Sequence, residues 1–197
     1  MILVLSLLNI LLQVKLQQLK SKIQYQNKLL KDFKVVSEII EANAYEAILE
    51  GLTFPMDILF SLERKRNLFH EENNNYLLIL LFSLSDCNVC VEDEIQYFED
   101  LYSKSLNSEI KMSIIAIAHA SSINMLNRFR AANNFSFPLI YDNTDTLRKY
   151  FDIHKTPLSF LVDRDTKKIL KAHFPVAKVP QESIKFIQFI ERLFAQK

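Results

Sequence analysis

Residues 76–82 (Tyr-Leu-Leu-Ile-Leu-Leu-Phe) form an uninterrupted apolar run, and the chain's only two cysteines, Cys87 and Cys90, follow just beyond its end. An apolar run of this length, without alternation, is what a strand covered on both faces requires. Such a strand needs helices on both sides of its sheet, which narrows the fold to the α/β class. After the cysteines, Val91, Ile95, Phe98 and Tyr102 recur on one face of a helix. The Cys-x-x-Cys therefore falls where a central strand hands over to a helix. Two cysteines scattered at random over a chain of this size would fall at this spacing about once in a hundred times. The pair reads as a redox dithiol.

The pattern continues with a second buried strand at 112–118, a helix at 123–133 and a short extended piece at 137–141. A short helix carrying Leu147, Tyr150 and Phe151 stops before Lys155-Thr156-Pro157. Strands at 158–162 and 168–173 flank the turn 163–167. Pro180 then opens a last helix with Phe186, Ile187, Ile190, Leu193 and Phe194 inward. This order predicts a mixed sheet, with parallel strands joined by crossover helices, then an antiparallel hairpin and a closing helix. The dithiol lies at the carboxyl end of a central strand, where open α/β sheets build their sites. Upstream, 57–62 and 67–70 read as a weak hairpin around the polar turn 63–66, with a loop at 71–75.

The first fifty residues have a different character, and the organisation expected is an N-terminal segment over 1–50 and a domain over 51–197. Residues 2–14 are almost wholly apolar, about the length of a signal-peptide core and shorter than the roughly 18 residues that span a bilayer. No small-residue cleavage site follows, so a membrane role for residues 2–14 is that of a retained anchor; the alternative is simply the first turns of a long helix. From Leu12, apolar residues at Leu16, Leu19, Ile23, Leu30, Phe33 and Ile40 fit a heptad seam interrupted by Gln26 and Ser37. That seam predicts a long helix, which either forms a homodimeric coiled coil or packs back on the domain. Gly51 ends the helical pattern and Phe54-Pro55 marks a break. Lys15, Lys20, Lys22, Lys28, Lys31 and Lys34 follow the apolar run where the positive-inside rule places the cytoplasm. The orientation stays open between a domain outside the cytoplasm, anchored in the cell envelope, and a cytoplasmic one.

Composition excludes several classes. With 24 Lys plus Arg against 23 Asp plus Glu, the balance offers no electrostatic case for a nucleic-acid partner. The 15 Phe and 7 Tyr fall mostly at periodic core positions such as Phe98, Phe151 and Phe160. Gly51 is the single glycine, so glycine-built dinucleotide and phosphate loops are absent and no cofactor is expected. Zinc needs about four ligands at short paired spacings, whereas His70, His119, His154 and His173 stand singly, so no metal is expected.

The stretch 77–98, with its Cys-x-x-Cys between buried strand and amphipathic helix, resembles the thioredoxin-like superfamily. So does Lys155-Thr156-Pro157-Leu158-Ser159-Phe160-Leu161-Val162-Asp163-Arg164-Asp165. Within it the likeness is to the TlpA-like and AhpC/TSA-like branch, and it covers residues 51–197. The resemblance implies a thioredoxin-like fold and a thiol-disulfide oxidoreductase that reduces or exchanges disulfides in partner proteins, recharged by an upstream thiol donor. It also implies that Pro157 is a cis proline against the dithiol, with Thr156 and Pro157 offering backbone groups to an extended substrate. An acid three residues after the second cysteine often lies near the dithiol in this branch as a proton-transfer group. Asp93 matches that position, flanked by Glu92 and Glu94, so Asp93 and Glu94 are the candidates.

At a helix N-terminus Cys87 gains from free backbone N–H groups and the helix dipole, which favours its thiolate. Cys87 is therefore the expected attacking sulfur and Cys90 the resolving one, with the neighbouring Asp86 charge working against the thiolate. The chain departs from the family in carrying Asp86 where tryptophan is usual, Asn88-Val89 between the cysteines, and apolar Leu81 where many thioredoxins place a strand carboxylate. A peroxidase of the peroxiredoxin type would carry proline and threonine where Leu80 and Leu84 stand. The rival from another class is a binding or scaffold module with a vestigial dithiol.

Overall fold

This computed structural model describes residues 2–63, 74–86, 88–107, 110–177 and 179–195. Two compact units are present, Met1–Glu41 and Ala42–Lys197.

The first unit is the greater part of helix α1 (Ile2–Leu49). The heptad positions are exposed, from Leu16 at 55% to Phe33 at 73%. No helix among the described residues is long and apolar enough to cross a membrane.

The second unit begins inside α1, earlier than the boundary expected at Gly51. The last two turns of the helix join the core: Ala42 and Leu49 are buried, Tyr45 donates its hydroxyl to the Asp152 carbonyl at 2.5 Å, and Glu50 pairs with Lys171. Gly51 then takes φ +81°, a left-handed conformation that glycine adopts without steric cost. Its N–H donates to the Ile169 carbonyl at 2.7 Å, while the Ile169 N–H returns to Leu52.

Residues 57–62, expected as a strand, belong instead to helix α2 (Met56–Glu63). Pro55 is the reason: it lies in the break between the two helices, as expected, and its carbonyl accepts from the N–H groups of Ile58 and Leu59, so it also opens the second helix. Met56 and Leu59, three apart, are its buried residues. The partner strand expected at 67–70 lies outside the described residues.

The rest follows the expected order: β1 (Tyr76–Ser83), α3 (Asn88–Leu106), β2 (Met112–His119), α4 (Ile123–Asn133), β3 (Leu139–Tyr141), α5 (Thr146–Tyr150), β4 (Leu158–Asp163), β5 (Ile169–His173) and α6 (Pro180–Ala195). The sheet runs β3-β2-β1-β4-β5. β1 pairs parallel with β2 and β2 with β3, whereas β4 is antiparallel to both β1 and β5. β1 is the middle strand, which accounts for its apolar sequence. Leu78, Leu80 and Phe82 face one core with Val91, Ile95 and Phe98 of α3 and Phe186 and Ile190 of α6. Leu77, Ile79 and Leu81 face the other, with Leu49, Phe54 and Leu59. Burial of each such side chain contributes about 1.5–3 kcal/mol, so this alternation fixes the register of the strand between its helices.

Candidate active site

The parallel β1–β2 pair and the antiparallel β4 bring two chain segments to the carboxyl end of β1. One is the turn that leaves β1 and enters α3; the other is the approach to β4, because Leu81 is paired with Leu158. The Thr156–Pro157 peptide bond is cis, and both residues are buried.

The turn is tied by its own side chains. Ser83 and Ser85 share a hydroxyl hydrogen bond at 2.8 Å, and Ser85 donates to Asp86 Oδ1 at 3.2 Å. α3 then starts at Asn88. Cys90, in its first turn and 7% exposed, is disulfide-bonded. Cys87 lies outside the described residues.

Asp86 joins the two segments. Its Oδ2 accepts the Thr156 N–H at 3.0 Å and the Thr156 hydroxyl at 2.6 Å, and Thr156 Oγ1 in turn accepts the Ser83 N–H at 2.9 Å. Arg148 of α5 places Nη1 3.2 Å from the same Oδ2 and Nε 3.5 Å from Asp145. The Asp86 carboxylate is thus balanced by a guanidinium and shared with the β4 approach. The sequence suggested only a negative charge beside the first cysteine. Thr156, the expected substrate contact, is 3% exposed, and both its N–H and its hydroxyl already have partners.

Of the two candidate acids on α3, Asp93 is exposed and Glu94 is fully buried. Glu94 lies four residues after Cys90, on the same helix face. Neither of its carboxylate oxygens has a hydrogen-bond partner among the described residues. Its neighbour is His173 at the end of β5, with Nε2 3.7 Å from Glu94 Oε1, a charge contact longer than a hydrogen bond. His173 Nδ1 is 3.3 Å from Glu46 of α1, its Nε2 is 3.0 Å from the Ser183 hydroxyl, and its ring stacks on Phe186. Burial pulls the His173 pKa down, but the neighbouring Glu46 and Glu94 carboxyl groups outweigh it and raise it to about 9. The imidazole thus lies between two carboxyl groups, and its raised pKa favours the cation.

Sequence reasoning missed Arg148, Glu46 and His173. It placed Asp93 and Glu94 together, although the buried phase of Val91, Ile95 and Phe98 already put 94 inward and 93 outward. The strand position where many relatives carry a carboxylate holds Leu81, 1% exposed in the core.

The AhpC/TSA family profile matches residues 61–173, more than half of the 197-residue chain. The chain belongs to the AhpC/TSA family. Among solved structures, a Chlorobium tepidum protein described as a thiol:disulfide interchange protein DsbE is similar in fold. The match covers 62% of this chain and 84% of that one at 14% identity, with a TM-score of 0.51. StoA from Bacillus subtilis is similar over 60% of this chain and 84% of its own at 18% identity, with a TM-score of 0.47. No curated protein sequence matches. The AhpC/TSA chain thus has the thioredoxin-like fold, with its mixed five-stranded sheet, preceded by the long helix α1.

Proposed function

We propose that this protein is a thiol-disulfide oxidoreductase acting through Cys87 and Cys90 on disulfides of partner proteins. The observation that carries the reading is the buried Cys90 in the first turn of α3, which starts from the carboxyl end of β1, the end to which the cis Thr156–Pro157 peptide is also brought. The family and the DsbE-like fold support it.

In the reduced protein, the Cys87 thiolate attacks one sulfur of a substrate disulfide. A mixed disulfide forms and the other substrate sulfur leaves as a thiolate. The Cys90 thiolate then attacks the Cys87 sulfur, closing Cys87–Cys90 and releasing the second substrate thiolate. Two electrons pass from the dithiol to the substrate, and an upstream thiol donor returns them by the reverse exchange. The Cys90 thiol must lose its proton before it attacks, and Glu94, one helical turn further along the same buried face, is the carboxylate that takes it. Asp93, in solvent, has no such part.

Residues 2–14 tether the protein to a membrane of the cell envelope, a reading supported by their apolar run. The exposed heptad seam from Leu12 to Ile40 supports a second one, pairing of two copies through α1. Replacing Leu19, Ile23 and Leu30 with lysine is expected to leave a monomer by sedimentation; an unchanged mass would remove the dimer.

Trapping tests the redox reading. Cys90→Ser, which forms the mixed disulfide and cannot resolve it, is expected to accumulate dithiothreitol-sensitive adducts with substrate proteins that the Cys87→Ser, Cys90→Ser double variant lacks. Equal adducts in both would leave a fold whose dithiol is vestigial.

A further inference from the structure

We propose that Asp86 is a specificity-determining residue that closes the β4 approach to extended peptides, so that this protein favours compact disulfides over those carried on an extended strand. The inference rests on the oxidoreductase reading above.

A peptide that pairs as a strand draws on main-chain hydrogen bonds, and the Thr156 N–H, next to Pro157, would be a donor for it. Here that N–H donates to Asp86 Oδ2 at 3.0 Å, and the hydroxyl of the same residue donates to the same oxygen at 2.6 Å. Thr156 is 3% exposed, so the donor is shielded as well as occupied. The carboxylate is not free to swing away, because Arg148 holds it at 3.2 Å and Asp145 holds Arg148. A bond to a carboxylate is roughly twice as strong as one to a neutral carbonyl. An incoming peptide would therefore trade the stronger acceptor for a weaker one, and would loosen the Asp86 carboxylate that Arg148 also holds. A small disulfide, or one at the tip of a tight turn, makes no such demand.

The test is single-turnover oxidation of the reduced full-length protein by two probes: hydroxyethyl disulfide, and a linear peptide joined by disulfide to a short thiol. The readout is the ratio of the peptide rate constant to the hydroxyethyl disulfide rate constant, which general loosening of the fold would not move in one direction. In Asp86→Ala the ratio is expected to rise about tenfold, the effect of one charge-assisted hydrogen bond that no longer competes. In Asp86→Asn, which keeps a neutral acceptor and the shape of the turn, it is expected to rise about threefold. A ratio unchanged in Asp86→Asn overturns the inference, whether or not the alanine variant folds. If wild type oxidises no faster than Cys87→Ser with hydroxyethyl disulfide, the oxidoreductase reading fails and this one falls with it. Oxidation at full rate with an unchanged ratio overturns this inference alone.

Discussion

His173 Nε2 stands 3.7 Å from Glu94 Oε1, and both side chains are out of solvent, 3% and 0% exposed. A buried cation is thereby placed one carboxylate away from the helix face that carries Cys90.

The His173 contact makes stability depend on pH in a definite direction. The folded pKa of about 9 lies above the ordinary 6.5, so the folded state holds the proton more tightly than the unfolded one. The resulting stability is fully present below pH 6.5 and is lost as pH rises through about 9. The unfolding free energy from urea titration is therefore expected to fall between pH 6.5 and pH 10, by at most about 3 kcal/mol. His173→Gln should be less stable at pH 6.5, by about 3 kcal/mol because two carboxylates lose their cation, and should not show the alkaline fall.

Glu94→Gln removes the base proposed for Cys90 while keeping its volume. Resolution of the mixed disulfide is expected to slow at least about tenfold at pH 7, with the pH–rate profile displaced to higher pH. Stopped-flow mixing of the reduced protein with a chromogenic disulfide resolves this step from the first attack. Asp93→Asn, on the exposed side of α3, is expected to match wild type in both.

Arg148→Met leaves the Asp86 carboxylate partly buried without its countercharge. A loss of about 1–3 kcal/mol is expected in denaturant unfolding. Combined with Asp86→Asn, the two losses should fall short of additive, since each removes the same contact. Strict additivity would mean that the pair does not couple.

These relationships differ in how far the sequence revealed them. The strand run 76–82 and the helix face of Val91, Ile95 and Phe98 gave the centre of the fold, because period and length are local properties. The break at Phe54-Pro55 was legible too, whereas the short run 57–62 was not, because periodicity alone does not separate a short strand from a short helix, and the carbonyl that Pro55 offers to Ile58 and Leu59 decides it. Glu94 was within reach, since its phase follows from its buried neighbours. Asp86 was not: its partners Arg148 and Thr156 lie 62 and 70 residues away, and no local pattern records which distant donors a carboxylate will meet. The same holds for His173, which looked like any isolated histidine until β5 and α1 brought it to Glu46.

The most direct test of the account is the rate at which reduced wild-type protein and reduced Cys87→Ser lose thiols to hydroxyethyl disulfide at pH 7. The account predicts rapid loss of both wild-type thiols with closure of Cys87–Cys90, and a rate at least about a hundredfold lower for Cys87→Ser, in which only the buried Cys90 remains. Equal rates for the two proteins would contradict it.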